Sequence, residues 1–509
     1  MTVSVIADAS MMDGGRRPWR RRPAGLLRAV PVTGVLALAT AFRFVALSRE
    51  GFNSDEAVYA GTAASIAGDT SLSGLFPVFR AHPVLFQLLV SLVYRAGVSD
   101  WSARAVAAAI GVLTVAVVYA LGVRMYGRRA GLIAALLLAV MPYHVVVSRQ
   151  VLLDGLMTFF ATVLIYCVVR YAETAAGRWL IAAGASLGAA MLAKETALVV
   201  LGGLYVFFAL TPIVRMRAPH LVGAFAVLGL LVAVPAAAKA YAGAGSSGQS
   251  YLLWQLVRPA NHELSFYFTT VPSAVGLGTL GTALAGLIWL RREWTWRERL
   301  LLCWVIVPVV FFTLWPVKGY QYLLPIAPAL AVLAGRTLDR LGLRAGRLAL
   351  IAATLVVTIS LAGASWQSIR PPEGGTFLAG TGGLAGGREA GLWVRDNVPA
   401  GAQLLTIGPS MANVLQFYGK RRAYALSVSP NPNQRNPSYV PVPNPDRALR
   451  DGRFQYIVWD SYTAGRAAFF TAKARTLIDR FHGVAVYSGT ARVGHADQMV
   501  IVIYRVRAR

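Results

Sequence analysis

Two adjacent carboxylates, Asp55 and Glu56, follow the first long apolar segment of a chain that has 22 acidic residues among 509. A carboxylate at the edge of a bilayer is costly unless it has a partner or a function. A carboxylate in this position could act as a general base that removes a proton from an acceptor group. We therefore predict that Asp55 is the catalytic base. The alternative is a structural ion pair with Arg149 or Lys318.

Glu56 is a second candidate acid at the same place. A helical segment would turn it away from Asp55, because consecutive side chains diverge around a helix. Two interpretations stay open: Glu56 acts indirectly by positioning Asp55 or its partners, or it is a solvated charge. Asp55 and Glu56 are both candidate catalytic acids.

The composition indicates an α-helical membrane protein that crosses the bilayer many times. Hydrophobic residues make up 56% of the chain and charged residues 14%, and the mean hydropathy is +0.55. A soluble protein would carry roughly 25% charged residues. Apolar runs of roughly 17–20 residues recur along the chain, which is the length of a transmembrane helix.

The net charge of +27 does not predict nucleic-acid binding. The lysines and arginines lie mostly in short loops between apolar runs, which is typical of membrane topology and of affinity for anionic head groups or phosphates. The sequence has no basic face interleaved with aromatic residues. Cys167 and Cys303 both lie inside apolar runs, which argues against a disulfide framework or a cysteine metal cluster.

Basic loops predict the orientation of the helices, because cytosolic loops are enriched in lysine and arginine. The arginine-rich segment 16–22 places the N-terminus in the cytosol. The loop Arg124–Arg129 is cytosolic only if the short apolar segment before it does not span, so we predict a juxtamembrane helix over 82–95. The other segments then alternate and give about eleven spans. These spans are 29–47, 102–123, 130–147, 155–171, 179–193, 196–210, 221–240, 271–290, 300–315, 322–334 and 349–364.

We predict four parts in the chain. Residues 1–28 form a disordered basic cytosolic tail, and 29–366 form the transmembrane domain with an outer loop over 48–80. A linker rich in proline and glycine covers 367–387, and a small extracytoplasmic α/β domain covers 388–509. In that domain we predict strands at 402–407, 455–459, 484–487 and 499–506, helices at 388–397 and 467–481, and a surface loop at 429–445.

The predicted alternation brings the ionisable residues at the ends of the apolar segments to one boundary, the outer one. This arrangement suits a reaction on a substrate whose charged head lies at the lipid surface and whose tail lies in the bilayer. The residues concerned are Asp55, Glu56, Arg80, His82, Arg149, Asp154, Lys194, Glu195 and Lys318.

Several short motifs then occur in a fixed order. Asp55-Glu56 follows the first apolar segment, His82-Pro83 opens the next helix, and Gly127-Arg128-Arg129-Ala130-Gly131 precedes Ser148-Arg149-Gln150-Val151-Leu152-Leu153-Asp154. Lys194 and Lys318-Gly319-Tyr320 come later. In order and spacing, these motifs resemble the GT-C membrane glycosyltransferases over residues 36–335, and are similar to the protein O-mannosyltransferase and lipid A aminoarabinose transferase group. The chain departs from the family at Val84, where proline is common, and at Glu195, where glycine is common.

The resemblance implies a polyprenyl-phosphate-linked sugar as donor and an inverting transfer on the outer face of the cell membrane. It implies a hydroxyl or phosphate acceptor in the envelope, carried by a lipid, a polysaccharide or a protein. Such a transfer needs a base for the acceptor and positive charge for the departing phosphate. The resemblance marks Asp154 as the second acid, which orients the acceptor or holds a partner of Asp55. The alternative for Asp154 is a charge that stabilises a helix N-terminus.

Four cations and two further side chains are candidate substrate ligands. Lys194 and Lys318 could clamp the phosphate, and the alternative for each is a lysine that extends its ammonium to the interface. Arg149 could bind the same phosphate or one of the acids. We add Arg80 for phosphate, and His82 and Tyr320 for other substrate contacts. Further aromatic residues that could stack on a sugar or simply mark the membrane interface are Tyr251, Trp254 and Tyr267.

No cofactor is required by this scheme, but a divalent metal stays open. Asp55, Glu56, His82 and Asp154 could supply its ligands, although their spacing is not compact. Two rival functions are a secondary transporter or flippase of a lipid-linked sugar, and a non-catalytic scaffold for envelope assembly. A transporter would have acids near the bilayer midplane and inverted repeats, whereas these acids cluster at one boundary and no repeat is visible.

Overall fold

The computed structural model describes residues 24–78, 82–241, 254–370, 384–493 and 496–507. Most of the predicted basic tail, much of the predicted linker, Arg80 and Tyr251 lie outside these ranges. A helical bundle is followed by a small α/β domain. The helices of the bundle are α1 Ala24–Phe44, α2 Ser54–Ala67, α3 Thr70–Ser73, α4 Leu85–Tyr94, α5 Asp100–Tyr126, α6 Arg128–Val140, α7 Pro142–Val147, α8 Leu153–Thr174, α9 Gly177–Ala193, α10 Leu198–Leu210, α11 Ala218–Tyr241, α12 Phe266–Val275, α13 Leu277–Trp289, α14 Trp296–Leu314, α15 Ala327–Ala345 and α16 Arg347–Ile369.

The segment predicted as an outer loop, 48–80, contains helix α2. Asn53 caps its first turn: the Asn53 side chain accepts a hydrogen bond from the backbone N–H of Glu56, and the Glu56 carboxylate accepts one from the backbone N–H of Asn53. This reciprocal capping box stabilises a helix start. The helix ends at Gly68, whose φ of 98° lies in the left-handed region that glycine adopts without strain. The carboxylate pair thus lies in a helix, not in an irregular loop.

Four helices within the described ranges are long and apolar enough to cross a membrane: α5, α8, α11 over Ala218–Ala237, and α16. A fifth span would combine α12 and α13, which meet at an angle of 100°. Shorter apolar helices cover Val30–Phe44, Leu85–Tyr94, Gly177–Ala193 and Glu195–Leu210. The protein is therefore a helical membrane protein by composition and helix length, and the count of eleven spans stays a prediction.

Two predicted spans are interrupted. The span over 130–147 breaks at Met141, because Pro142 cannot donate to the preceding turn and instead begins α7. The span over 271–290 bends at Gly276, whose φ of 87° is compatible with glycine and not with a continuing helix. Both segments are apolar throughout, so hydropathy alone does not reveal the breaks.

Close backbone contact holds the centre of the bundle together. A Cβ atom added at Gly122 of α5 would lie 2.6 Å from the Cα atom of Gly131 in α6, so only glycine permits this approach. Small residues at helix contacts are the common means of packing helices within a membrane. Around this contact, Leu121, Ala134 and Leu138 are buried in the core of the bundle.

The α/β domain has a mixed five-stranded sheet in the order β2-β1-β3-β5-β4. β1 pairs in parallel with β2 and β3, and β5 pairs antiparallel with β3 and β4. The strands are β1 Leu404–Thr406, β2 Ala423–Ala425, β3 Tyr456–Asp460, β4 Val484–Val493 and β5 Ala496–Arg505, and the helices are α17 Gly387–Asn397, α18 Pro409–Gly419, α19 Pro445–Arg450, α20 Ser461–Ala464 and α21 Ala468–Arg480. The sequence prediction located four of these strands and the helices α17 and α21, and it missed β2, α18 and the short helices α19 and α20.

Helix α18 packs against α2 and so attaches the domain to the bundle. The Asn413 side chain donates a hydrogen bond to the Ser54 hydroxyl at 3.0 Å. The Phe52 backbone N–H donates to the Tyr418 hydroxyl at 2.8 Å, and the Phe52 and Phe417 rings lie 5.1 Å apart. Helix α2, with its two carboxylates, is consequently enclosed between the bundle and the domain.

Candidate active site

Asp55 lines a cavity of about 440 Å³ between the bundle and the α/β domain. Residues of both parts form its walls. The bundle contributes, among others, Asp55, His82, Lys194, Glu195, Trp254, Arg258, Lys318 and Tyr322, and the domain contributes Pro409, Ser410, Ser427, Val428, Ser429, Gln434, Arg435, Asn436 and Tyr439.

The Asp55 side chain is half-buried in the first turn of α2. Burial raises the pKa of its carboxyl to about 6, although the nearby charges of Lys194 and His82 act to lower it. The ion pair with Arg149 or Lys318 that we weighed for Asp55 is not formed, because both cations bind backbone carbonyl oxygens. Asp55 is thus a carboxylate at a cavity wall with a pKa close to neutral pH, which suits a general base.

Lys194 and Asp154 form a buried ion pair beside Asp55. The Lys194 ammonium lies 2.7 Å from Asp154 Oδ1 and 4.3 Å from the centre of the Tyr322 ring. Asp154 is in the first turn of α8, as its helix-start interpretation required, and Lys194 directly follows the end of α9. Of the two roles that we weighed for Asp154, the structure is compatible with the one in which it holds a cation near Asp55.

Lys318 is also buried at the wall of the cavity, 3% exposed. Its ammonium donates to the carbonyl oxygens of Trp315 at 3.1 Å and His262 at 3.5 Å. Asn261 holds the Lys318 backbone through hydrogen bonds to both its N–H and its carbonyl group. The interpretation of Lys318 as a lysine that extends into the interface is therefore wrong, because its charge lies inside the protein.

His82 is paired with Glu195, a residue to which the sequence assigned no role. The His82 Nδ1 atom lies 2.9 Å from Glu195 Oε1, and the His82 ring contacts the edge of Tyr59 at 5.9 Å between centres. Glu195 is the residue at which the chain departs from the Lys-Gly pattern of the family it resembles. The pairing gives this departure a structural purpose: Glu195 orients His82 at the cavity.

Glu56 does not reach the cavity. It is 1% exposed and binds the Arg104 guanidinium through both oxygens, at 2.8 and 2.7 Å. The backbone N–H of Val151 donates to the same carboxylate at 3.0 Å. The interpretation of Glu56 as a solvated charge is wrong, and its oxygens are occupied on the side of α2 that faces away from Asp55. Arg104 carried no sequence signal because it lies within a long apolar helix.

Arg149 and Tyr320 also lie differently from their predicted positions. Arg149 donates to the carbonyl oxygens of Phe42 and Arg43 at the end of α1, and it is not among the described residues that line the cavity. The carbonyls at a helix end lack partners within the helix, which explains the attraction of a cation there. Tyr320 packs edge-on against Tyr143, and Tyr322, two residues later, lines the cavity instead.

Of the other aromatic candidates, Trp254 lines the cavity and stacks on the Arg258 guanidinium at 4.6 Å. Tyr267 donates a hydrogen bond to the Gly319 carbonyl and so supports the loop of Lys318. Arg80 and Tyr251 lie outside the described residues. Trp254 is therefore the predicted aromatic residue whose position allows contact with a substrate in this cavity.

The four candidate metal ligands are not gathered at one point. Glu56 binds Arg104, Asp154 binds Lys194 and His82 binds Glu195. Within the ranges that the structure describes, no group of three histidine, cysteine, aspartate or glutamate side chains could hold a metal ion.

The segment 429–445, predicted as a surface loop, forms part of the cavity wall. Gln434, Arg435, Asn436 and Tyr439 line the cavity opposite the bundle. The segment is irregular and largely exposed, as predicted, but proline- and asparagine-rich composition does not reveal that one side of it covers a cavity. These are the functional-site residues that sequence reasoning missed most completely.

Comparison with known proteins supports the resemblance. Residues 81–238 match the dolichyl-phosphate-mannose-protein mannosyltransferase family. The solved structure of ArnT from Cupriavidus metallidurans in the apo state superimposes with a TM-score of 0.69 at 16% identity, covering 95% of this chain and 98% of that one. ArnT from the same organism bound to undecaprenyl phosphate gives a TM-score of 0.66 at 16% identity, over 93% and 98%.

A more distant match is the archaeal oligosaccharyltransferase AglB from Archaeoglobus fulgidus, solved with an inhibitory peptide and a dolichol-phosphate. Its TM-score is 0.62 at 15% identity, over 93% of this chain and 74% of that one. A comparison with curated protein sequences finds no match. The fold of the chain is that of the GT-C membrane glycosyltransferases, and the resemblance found in the sequence motifs is confirmed.

Proposed function

We propose that the protein is a membrane glycosyltransferase that moves a sugar from a polyprenyl-phosphate carrier to an acceptor of the cell envelope. The observation that carries this proposal is the shared cavity of Asp55, Lys194 and Lys318, which combines a carboxylate with two buried ammonium groups. ArnT, whose fold this chain shares, has been solved with undecaprenyl phosphate, and AglB with dolichol-phosphate.

The reaction has two electrostatic requirements, and each has a candidate group at the cavity. An acceptor hydroxyl becomes a nucleophile when a base takes its proton, and Asp55 is the base in this scheme. Negative charge then develops on the phosphate oxygen of the departing carrier. Lys194 and Lys318 stabilise that charge, because buried ammonium groups act on phosphate with little screening by water.

A one-step displacement requires the base and the phosphate-binding cations on different sides of the sugar carbon. Asp55 belongs to α2, whereas Lys318 belongs to the loop before α15 and is held there by Asn261. Arg258, which also lines the cavity, adds a further cation on the bundle side. Transfer with inversion at the sugar carbon is what the resemblance to the GT-C glycosyltransferases implies, and we include it in the proposal.

We place the cavity and the α/β domain on the extracytoplasmic side, with the N-terminus in the cytosol. The support is the distribution of basic loops, since Arg124, Arg128 and Arg129 lie at the junction of α5 and α6. A polyprenyl carrier in the outer leaflet would then present its phosphate at the level of Asp55. The boundary of the α/β domain at residue 388 is part of the same proposal.

The test is transfer from a panel of undecaprenyl-phosphate sugars (mannose, arabinose, aminoarabinose, glucose) to envelope material, using membranes that contain the full chain. Asp55→Asn should lower the rate at least about a hundredfold, within the range for loss of a general base. The control is Asp451→Asn, which alters an exposed acid of the α/β domain. Full activity of Asp55→Asn would exclude the mechanism.

The product identifies the acceptor class. Deleting the gene and analysing envelope glycans, glycolipids and glycoproteins by mass spectrometry should reveal one missing sugar. A deletion that removes no sugar, together with an intact envelope complex containing this protein, would favour the scaffold function instead.

A further inference from the structure

The large cavity beside Asp55, of about 440 Å³, has one wall from the bundle and one from the α/β domain. The described domain residues that line it each follow one of two parallel strands. Pro409 and Ser410 follow β1, and the others, from Ser427 to Tyr439, follow β2. The domain therefore turns the carboxyl ends of these strands toward Asp55.

This edge of the sheet is the one at which open parallel sheets bind ligands. β1 and β3 are parallel neighbours, and the chain continues from β1 to β2 on one side and from β3 to β4 and β5 on the other. Ligands of such sheets bind outside the carboxyl ends of the strands, at the point where the connections diverge. Tyr462, which follows β3, lies at the same edge: burial raises the pKa of its hydroxyl, and the charge of Asp55 adds to the increase. All three parallel strands thus end near Asp55.

The domain wall carries uncharged polar groups with unused hydrogen-bonding capacity. The hydroxyl groups of Ser410 and Ser427 and the Asn436 Nδ2 atom make no hydrogen bond to any described residue. Arg435, the cation among the described residues of this wall, already donates to the carbonyl oxygen of Pro430 at 2.7 Å. A hydroxyl group can both donate and accept a hydrogen bond, so this wall matches a ligand that itself carries several hydroxyl groups.

The bundle wall has a different chemistry. Lys194, Arg258 and Lys318 line it, and ammonium and guanidinium groups are the usual partners of phosphate in proteins. The phosphate of the donor and the hydroxyl groups of an acceptor therefore match opposite walls of the same cavity.

Ser410 lies close to the predicted base. In α18, Asn413 is one turn after Ser410, so the two side chains lie on the same face of the helix. The Asn413 side chain donates to the Ser54 hydroxyl at 3.0 Å and to the Tyr439 hydroxyl at 3.2 Å. Because Ser54 directly precedes Asp55, a ligand held on the domain wall has the Asp55 carboxylate beside it.

We propose that the domain wall of the large cavity binds the acceptor, that the acceptor is a glycan, and that Ser410 and Ser427 contact its hydroxyl groups. This inference rests on the proposed transferase function. The cavity lies within the range of about 300–1,000 Å³ that is common for small-molecule sites. It therefore holds the reacting end of the glycan, and the remainder lies outside.

The wall is less suited to the other acceptor classes. A bound peptide commonly pairs its backbone with an exposed strand edge, whereas β1, β2 and β3 present their ends to the cavity. An acceptor phosphate would need cations on this wall, where the described residues supply Arg435 and otherwise hydroxyl, amide and apolar groups.

The reaction balances with groups already present. The acceptor hydroxyl oxygen forms a bond to the anomeric carbon of the donor sugar, and its proton passes to the Asp55 carboxylate. The bond between that carbon and the phosphate oxygen breaks, its electron pair stays on the oxygen, and polyprenyl phosphate leaves along the bundle wall.

The test uses membranes that contain the full chain and the undecaprenyl-phosphate sugar that the wild type uses as donor. Three kinds of acceptor are compared: octyl glycosides of common sugars, a peptide with serine and threonine, and a lipid with a terminal phosphate. A glycoside should be the preferred acceptor. Ser410→Ala and Ser427→Ala should each raise its KM about twofold to tenfold, the range for one uncharged hydrogen bond, and leave the donor KM unchanged. The double variant should raise it by about the product of the two.

Two further variants serve as comparisons. Ser488→Ala changes an exposed serine of β4, at the opposite edge of the sheet, and should leave both KM values unchanged. Arg258→Gln changes the bundle wall and should raise the donor KM while leaving the acceptor KM unchanged. The melting temperature of each variant in detergent checks its folding, and Ser427→Ala carries the test by itself if Ser410→Ala is destabilised.

Preferred transfer to the peptide or the lipid phosphate, or a wild type that uses the donor but none of the glycosides, would overturn the inference while leaving the proposed function intact. An unchanged acceptor KM in the double variant, or an equal rise of its donor KM, would also overturn it. A wild type that transfers sugar from none of the donors would overturn the proposed function, and this inference with it.

Discussion

Two buried ion pairs flank Asp55, and they differ in how completely their cations are bound. The five N–H groups of Arg104 are matched by five hydrogen bonds, two to Glu56 and three to the carbonyl oxygens of Leu47, Glu50 and Gly51. Lys194 donates to Asp154 alone among the described residues, and its ammonium borders the large cavity.

Two ion pairs that are equally buried can therefore have different functions. A cation with every donor satisfied has nothing left for a ligand, so the Glu56–Arg104 pair fixes the chain before α2. A cation with spare donors at a cavity wall can exchange or extend its contacts when an anion enters. We therefore expect substitutions at the first pair to act on stability and substitutions at the second to act on donor binding.

The largest expected effect concerns the Glu56–Arg104 pair, in which every donor of the cation is bound. Arg104→Met should lower the free energy of unfolding by about 3–5 kcal/mol, because it leaves the Glu56 carboxylate buried without its partner. Thermal and denaturant unfolding of the purified protein in detergent would measure this. Arg395→Met is the control, since its pair with Asp396 is exposed and its loss should leave the stability nearly unchanged. Equal losses in the two variants would remove the distinction.

The next effect concerns the pair at the cavity. Lys194→Met should raise the donor KM about tenfold to a hundredfold, equivalent to about 1.4–2.7 kcal/mol of binding. It should also destabilise the fold, because Asp154 loses its partner. Adding Asp154→Asn should restore the melting temperature but not the donor KM. Lys420→Met, at a surface pair with Asp69, should leave the donor KM unchanged. Recovery of donor binding in the double variant would argue that Lys194 is structural.

A third effect concerns the pH dependence of kcat/KM, on which the charge of Lys194 should act. With the Asp55 pKa at about 6, kcat/KM of the wild type should fall about tenfold per unit as the pH drops below that value, because the base becomes protonated. Lys194 acts to lower this pKa, so Lys194→Met should move the midpoint upward, by less than about one unit. A midpoint that stays fixed in Lys194→Met would show that the Lys194 charge does not act on the base.

The smallest effect concerns the contact through which the α/β domain is attached to the bundle, near the Glu56–Arg104 pair. The Tyr418 hydroxyl donates to Asp100 at 2.6 Å and accepts from the Phe52 backbone N–H at 2.8 Å. Tyr418→Phe should cost about 1 kcal/mol of unfolding free energy, the usual net value of such hydrogen bonds. The melting temperature should fall slightly while the donor KM stays unchanged. A large rise of the donor KM would mean that this contact controls the cavity.

Hydropathy and charge patterns predicted much of the helical part of the chain. Most apolar runs became helices, and the alternation of basic loops brought Asp55, His82, Lys194 and Lys318 to one level, where the structure has its large cavity. These predictions succeeded because the length of an apolar run and the charge of its ends are local properties of the sequence.

The partners of these residues could not be predicted. Arg104 lies 48 positions from Glu56, and Glu195 lies 113 positions from His82, so each pair depends on helix packing that no local pattern encodes. Arg149 was predicted to bind the phosphate or one of the acids, whereas it donates to carbonyl oxygens at the end of α1, which lies more than a hundred positions earlier in the chain. The wall formed by 429–445 was missed for the same reason, since it depends on how the domain packs on α2.

The packing of Phe52 against Phe417 has a consequence for how the protein can be divided. Phe52 is 1% exposed, and part of that burial comes from the α/β domain. A bundle expressed without the domain would present aromatic side chains of the α2 region to water, which favours aggregation. In functional chimaeras between related enzymes, α2 should therefore be exchanged together with the α/β domain. Both sides of their interface then come from the same protein, which is not the case when only the chain after α16 is exchanged.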